Sequence, residues 1–252
     1  MFAFTFALSR VYSNSYLEML KSIPDLTWTP GVSRYFLDES IQLDKVKRVN
    51  QVSQKTRYVG TPPASFSWLE QNPECLKVDD IYSCGASWAF SSVGSFSDNR
   101  CISKKDSARV SYSEQQMISC VSYKSGSTGE QLKCQTSCDD GSAMKVVNSV
   151  AFQDVCSGEE SIMNALNNGT IQTQMDTHQD FFYYTGGIYK HVFGEYEGRL
   201  MVIIVGYGEE NNTKFWIVRN TWGTAWGEQG YFRIERGTNQ CLIEQQCFLN
   251  VV

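Results

Sequence analysis

Apolar residues recur at Trp88, Phe90, Val93 and Phe96 in a proline-free stretch, and that spacing predicts a helix over 87–100 packed on one face. A shorter amphipathic stretch runs from Tyr16 to Ile23, and Glu159–Leu166 reads as a short helix. Ser113, followed by Glu114 and Gln115, marks a helix start for 114–119. From Ile171 onward the pattern turns apolar and β-branched. Leu200–Val205 and Phe215–Val218 read as strands around a polar turn at Gly206–Lys214, and Tyr231–Ile234 as another strand. Gly60, Pro62 and Pro63 mark a boundary, and 122–143, rich in Ser, Gly, Thr and Cys, reads as a stapled loop. Helices first and an antiparallel sheet second make an α+β layout in two halves.

The 252 residues suit one large domain, or a short segment joined to a domain of about 200 residues. With 42% apolar, 13% aromatic and 19% charged residues, the chain has material for a core and is not of the disordered class. A net charge of −5 with no basic stripe argues against nucleic acid as a partner. The longest aliphatic run, Leu200–Val205, falls far short of the roughly 20 residues that span a bilayer. Nine cysteines accompany only two histidines, His178 and His191, so a disulfide framework fits better than a metal centre and no cofactor is expected. That framework points to an oxidising compartment, and the odd count leaves at least one thiol over. The sequons Asn168-Gly-Thr170 and Asn211-Asn-Thr213 fit the same route. Apolar residues 1–8 read as the core of a signal peptide cleaved near Ser13, which assigns 1–15 to a leader. Both histidines read as solvated surface residues.

Two segments carry a specific pattern. One is Pro63-Ala-Ser-Phe-Ser-Trp68, then Cys75, then Cys84-Gly-Ala-Ser-Trp-Ala-Phe-Ser91. The other is Gly206-Tyr-Gly, Trp216-Ile-Val-Arg-Asn-Thr-Trp-Gly223 and Trp226-Gly-Glu-Gln-Gly-Tyr-Phe-Arg-Ile234. Together they resemble the papain family of cysteine proteases, on its cathepsin B-like branch, from about Leu17 to the C-terminus. The resemblance implies a two-lobe fold, helical left lobe and antiparallel right lobe, with a cleft between them. It implies a propeptide over 16–60, with Trp28-Thr-Pro-Gly31 as its mark, and a protease-type domain over 61–252.

The chemistry implied by the resemblance is a thiol at a helix N-terminus, a histidine base, an amide that orients the imidazole and a glutamine that helps hold the oxyanion. Matched on Cys84-Gly-Ala-Ser-Trp, the nucleophile position is Ser87 and the oxyanion position, six residues earlier, is Ile81. Matched on Val205-Gly-Tyr-Gly, the histidine position is Leu200. A serine hydroxyl is not ionised near neutral pH, leucine moves no proton, and isoleucine offers no side-chain donor. Only the orienting amide, Asn220, and its shielding Trp222 remain, with Trp226 as scaffold. Ser87 then serves as a helix N-cap, and Gly206 and Gly208 serve turn geometry. Gln246 stands at the acidic floor of the family's main specificity pocket. After Cys120 the chain passes over a stretch that lines the family's cleft, and no histidine-bearing occluding loop follows.

By resemblance Cys75 pairs with Cys101, while Cys120 pairs with either Cys134 or Cys138. Cys84, Cys156, Cys241 and Cys247 have no evident partner. The reading that results is a monomeric, secreted or lysosomal (vacuolar) papain-type protein that has lost catalysis and binds a peptide, a protease inhibitor or another protease. Two alternatives are an active endopeptidase using Ser87 and the product of a decaying gene.

Overall fold

The computed structural model describes residues 13–33, 55–81, 85–120, 134, 137, 141–142 and 147–252. Five α-helices are set among them: α1 (Asn14–Lys21), α2 (Trp68–Gln71), α3 (Ser87–Ile102), α4 (Glu114–Cys120) and α5 (Glu159–Leu166). The strands are β1 (Trp28–Pro30), β2 (Phe66–Ser67), β3 (Ala151–Asp154), β4 (Ile171–His178), β5 (Tyr184–Tyr189), β6 (Tyr196–Glu210), β7 (Thr213–Arg219), β8 (Tyr231–Glu235) and β9 (Cys247–Val251). Their order in the sheet is β1-β5-β8-β7-β6-β4-β9-β3, with β2 on β6. The expected α+β layout is present, with one departure: β5 and β8 run parallel. No described helix is long and apolar enough to cross a membrane.

The β6–β7 hairpin is longer than its sequence pattern predicts. Pairing continues to Glu210↔Thr213, leaving only Asn211 and Asn212 as the turn, both at positive φ (49° and 62°). Gly206 therefore lies inside a strand rather than in a turn. A Cβ there would sit 2.5 Å from the Phe66 carbonyl oxygen, so its bare backbone is what admits β2. Gly208 likewise faces the Phe215 ring, 2.7 Å from where a Cβ would be.

α3 also departs from its pattern. It is not an amphipathic surface helix: Ser91, Ser95, Ser97, Asp98 and Asn99 on it are buried, while Trp88, Phe90 and Phe96 are only partly so. Its polar groups serve as connectors to the sheet. Ser91 Oγ donates to the Met201 carbonyl (2.7 Å) and Ser95 Oγ to that of Thr170 (3.1 Å). Asn99 Nδ2 donates to the carbonyls of Thr170 and Asn250, and its Oδ1 accepts from Thr170 N–H at 2.7 Å. Asp98 pairs with Arg219 of β7 (2.8 Å) and with Arg109 (2.9 Å). Burial raises the Asp98 carboxyl, and the two guanidiniums oppose that rise.

The apolar core centres on Phe181, whose ring lies 4.9–5.8 Å from Tyr189, Phe232, Trp226 and Trp222. Edge-on and tilted contacts of this kind each add about 0.5–1.5 kcal/mol beyond area burial. Trp222 and Trp226 are thus core residues, as their scaffold role implies. The N-terminal segment docks on the same cluster. Trp28 packs on Tyr189 (5.4 Å) and donates from Nε1 to the Lys190 carbonyl. β1 fits because Gly187, at φ 90°, leaves space that a Cβ would fill 2.7 Å from Thr27 O.

Three disulfides are present among the described residues: Cys75–Cys101, Cys120–Cys134 and Cys156–Cys247. The first follows expectation, and the second settles Cys120 on Cys134. The third corrects the expectation that Cys156 and Cys247 lack partners. β3 and β9 are antiparallel neighbours, and Val155 N–H donates to the Cys247 carbonyl, which sets the next residue, Cys156, beside Cys247. Cys241 is a free thiol. Cys84, Cys138 and most of the loop expected at 122–143 lie outside the described residues.

Candidate active site

Ser87 is the first residue of α3, not its cap. Ala86 holds the cap position and no side chain bonds there. Ser87 is 2% exposed, and its Oγ accepts from the Met201 N–H of β6 at 3.4 Å. The hydroxyl therefore faces the strand that carries Leu200. Leu200 pairs with Met175 across the β4–β6 ladder and is buried among the core hydrocarbons.

A second backbone pairing brings the other two positions together. Ile81 N–H donates to the Thr221 carbonyl (3.0 Å), Asp80 bridges Trp222, and Gly223 N–H donates to Asp79 O. This seats Ile81 beside the loop that begins with Asn220. Asn220 is fully buried. Its Oδ1 accepts from Thr221 N–H at 2.7 Å, and its Nδ2 has no hydrogen-bond partner among the described residues. A buried, unpaired amide N–H costs about 1–3 kcal/mol.

Gln246 sits at the end of the β4–β9 region. Its Oε1 is in contact with Gln174 Nε2, and its carbonyl accepts from Thr173 Oγ1. Gln174, which the sequence did not single out, makes this position a neutral amide pair. Gln174 is also the cross-strand partner of Met201, so it lies on the Ser87 side of the sheet.

The two histidines are not solvated surface groups. Both are half-buried, and their rings stack with centroids 3.8 Å apart. His191 Nδ1 meets the fully buried Asp180 carboxylate at 3.0 Å, which also accepts from the Tyr189 hydroxyl and Val192 N–H. His178 is the last residue of β4, with Cys241 Sγ 3.9 Å from its Nδ1. Burial, and then the neighbouring His191, lower the His178 pKa, while burial pushes the Cys241 thiol up to about 12. That thiol stays protonated near neutrality and is a poor nucleophile.

Register decides whether either imidazole reaches Ser87. Ser87 contacts Met201, which pairs with Gln174, whereas His178 pairs with Tyr196. Four residues of strand separate the two points, roughly 13 Å at about 3.4 Å per residue. A general base must lie within about 3 Å of the proton it takes.

The model of the papain family cysteine proteases matches residues 62–135 and 123–251. The two matched stretches overlap at residues 123–135. Among curated proteins, cathepsin B-like CP2 of Giardia intestinalis is 37% identical, the alignment covering 74% of this chain and 73% of that one. Cathepsin B-like CP3 of the same organism is 38% identical, with 73% of each chain covered. Cathepsin B-like cysteine proteinase 5 of Caenorhabditis elegans is 27% identical over 75% of this chain and 74% of that one. Among solved structures, procathepsin B S9 from Trypanosoma congolense superposes with a TM-score of 0.83 at 24% identity, covering 96% of this chain and 98% of that one. A recombinant stem bromelain precursor gives a TM-score of 0.76 at 22% identity, covering 98% and 90%. These superpositions bear on the fold.

Proposed function

The chain belongs to the papain family of cysteine proteases, and from that premise we propose that it is a cathepsin B-like member without peptidase activity, which acts by binding. The observation that carries the reading is the state of Ser87: its hydroxyl accepts a backbone N–H from the strand on which leucine occupies the histidine position. Loss of the nucleophile or the base of a comparable triad removes on the order of a millionfold in rate. Loss of an oxyanion donor costs about 2.7–4 kcal/mol more, though such effects do not add.

The ligand is a peptide or protein: a substrate-like peptide, a propeptide-like inhibitor or another protease. In this reading residues 16–60 are the propeptide, with α1 and β1 anchoring it to β5, and 61–252 is the binding domain. The neutral Gln174–Gln246 pair favours an uncharged side chain at that pocket over a basic one. The disulfides fit a secreted or lysosomal chain. The continuous packing around Phe181 speaks against a decaying product.

The test is turnover of a panel of dipeptide-coumarin substrates by purified protein freed of residues 16–60. The wild type and Ser87→Ala are both expected to be silent. Ser87→Cys/Leu200→His is expected to gain measurable turnover, since the resemblance gives Asn220 the role of orienting that imidazole. Wild-type turnover that disappears in Ser87→Ala would overturn the proposal.

A further inference from the structure

The sequon Asn211-Asn212-Thr213 falls on the β6–β7 turn, and its surroundings differ from those of the other sequon. Asn211 and Asn212 are both exposed at the apex of a two-residue hairpin turn, where positive φ at both positions suits asparagine. The exposed Asn211 side chain makes no hydrogen bond to any described residue. The strand ends beneath it are fixed by the Glu210↔Thr213 pair and by Arg233, whose Nη1 donates to Glu210. Asn168, by contrast, turns its amide back on the Ala165 carbonyl at 3.5 Å. Thr170 of that sequon is fully buried, hydrogen-bonded to Asn99 and Asp98. The helix end and the buried network account for Asn168 and Thr170 without any modification.

We propose that Asn211 is the acceptor of an N-linked glycan. The donor class is an oligosaccharide carried on a polyprenyl pyrophosphate. The Asn211 amide nitrogen bonds to the anomeric carbon of the first sugar, the bond from that carbon to the pyrophosphate oxygen breaks, and the amide gives up one proton. The lipid pyrophosphate leaves. Ten residues of strand and turn separate Asn211 from Met201, roughly 30 Å at about 3.4 Å per residue, so the glycan stands clear of the Ser87 region. It also covers an otherwise bare hairpin tip.

The inference rests on the secretory part of the functional reading, and the experiment separates the two. The full chain is expressed in a eukaryotic secretory host twice, once with its own N-terminus and once behind a strong secretory leader. Each product is treated with peptide-N-glycosidase and followed by gel mobility and by mass spectrometry of the tryptic peptide 200–214. In the leader arm a mobility shift on deglycosylation is expected, with Asn211 converted to aspartate. It should vanish in Asn211→Gln and Thr213→Ala and persist in Thr213→Ser, which keeps both the sequon and the turn. No shift in the leader arm, or a shift that survives Asn211→Gln, overturns the acceptor assignment. A shift in the leader arm alone supports the assignment and counts against the secretory reading.

Discussion

Replacing Asp98 by alanine removes the one carboxylate that holds two guanidiniums between α3 and the sheet. Asp98 is fully buried and Arg219 is 2% exposed; the contacts are 2.8 Å to Arg219 and 2.9 Å to Arg109. After the change Arg109 keeps Asp79 at 3.9 Å, while Arg219 has Asp79 only at longer range. The intact pair contributes little net stability, because both partners lose their hydration. Breaking it by removing one partner leaves a buried charge unmatched, which costs about 3–5 kcal/mol. For a chain of this size that corresponds to a fall in Tm of roughly 6–20 °C. The assay is urea unfolding with the disulfides intact, followed by tryptophan fluorescence. Glu18→Gln serves as control: it breaks the exposed Glu18–Lys21 pair and should shift stability by no more than about 1 kcal/mol. Asp98→Asn, which keeps the shape and loses the charge, should fall between the two. If Asp98→Ala moves the midpoint no further than Glu18→Gln does, the buried triad does not hold α3 to the sheet and the reasoning fails.

Asn99→Ala leaves the Thr170 N–H and the Thr170 and Asn250 carbonyls without their side-chain partner, and a destabilisation of about 2–4 kcal/mol is expected by urea titration. Opening the Cys156–Cys247 loop (91 residues) with a pair of serines should cost about 1 kcal/mol more than opening Cys75–Cys101 (26 residues), if loop entropy governs. His178 has its pKa lowered in the folded chain, so the unfolded chain holds the extra proton as pH drops. Its stability contribution is therefore complete above about 6.5 and is lost as pH falls from there through the folded value. His178→Gln should accordingly lose less stability than the wild type between pH 7.5 and pH 5, measured by urea midpoints at each pH.

Much of the scaffold was legible in the sequence because local pattern and tertiary role agree there. The helix at Glu159–Leu166 and the strand at Tyr231 emerge within a residue of their predicted bounds, and Cys75–Cys101 forms as the resemblance implied. The misses share a cause: each depends on register or on which side of an element is covered. Nothing local tells that Cys156 will face Cys247, since that follows from β3 lying against β9. Nothing in Thr177-His-Gln-Asp180 shows that the imidazole will stack on His191, because the two meet only after a one-turn helix brings β5 back. Sparse polar residues could have signalled the third miss. Asp98 and Asn99 side by side in a helix otherwise rich in serine are better read as buried connectors than as a solvated face.

The same separation lets this fold stand with serine at 87 and leucine at 200. The groups that join α3 to the sheet are Ser91, Ser95, Asp98 and Asn99, spaced along the helix beyond Ser87, and their partners are backbone carbonyls and Arg219. None of them requires a thiol at 87 or an imidazole at 200. Leu200 enters the apolar core without opening a gap in the β4–β6 ladder, and the Ser87 hydroxyl finds a backbone donor in its place. Asn220 is one of several buried groups among the described residues with an unmet hydrogen bond, and its cost of about 1–3 kcal/mol is one the rest of the core outweighs. Replacing Asn220 by leucine removes the unpaired Nδ2 but also orphans the Thr221 N–H, so the two effects offset and a net change of no more than about 2 kcal/mol is expected here, whereas in a Ser87→Cys/Leu200→His background it should lower turnover. A loss well beyond about 3 kcal/mol on Asn220→Leu in the wild-type background would show a structural partner other than the Thr221 N–H, and the reading of Asn220 as a vacated orienting group would fail.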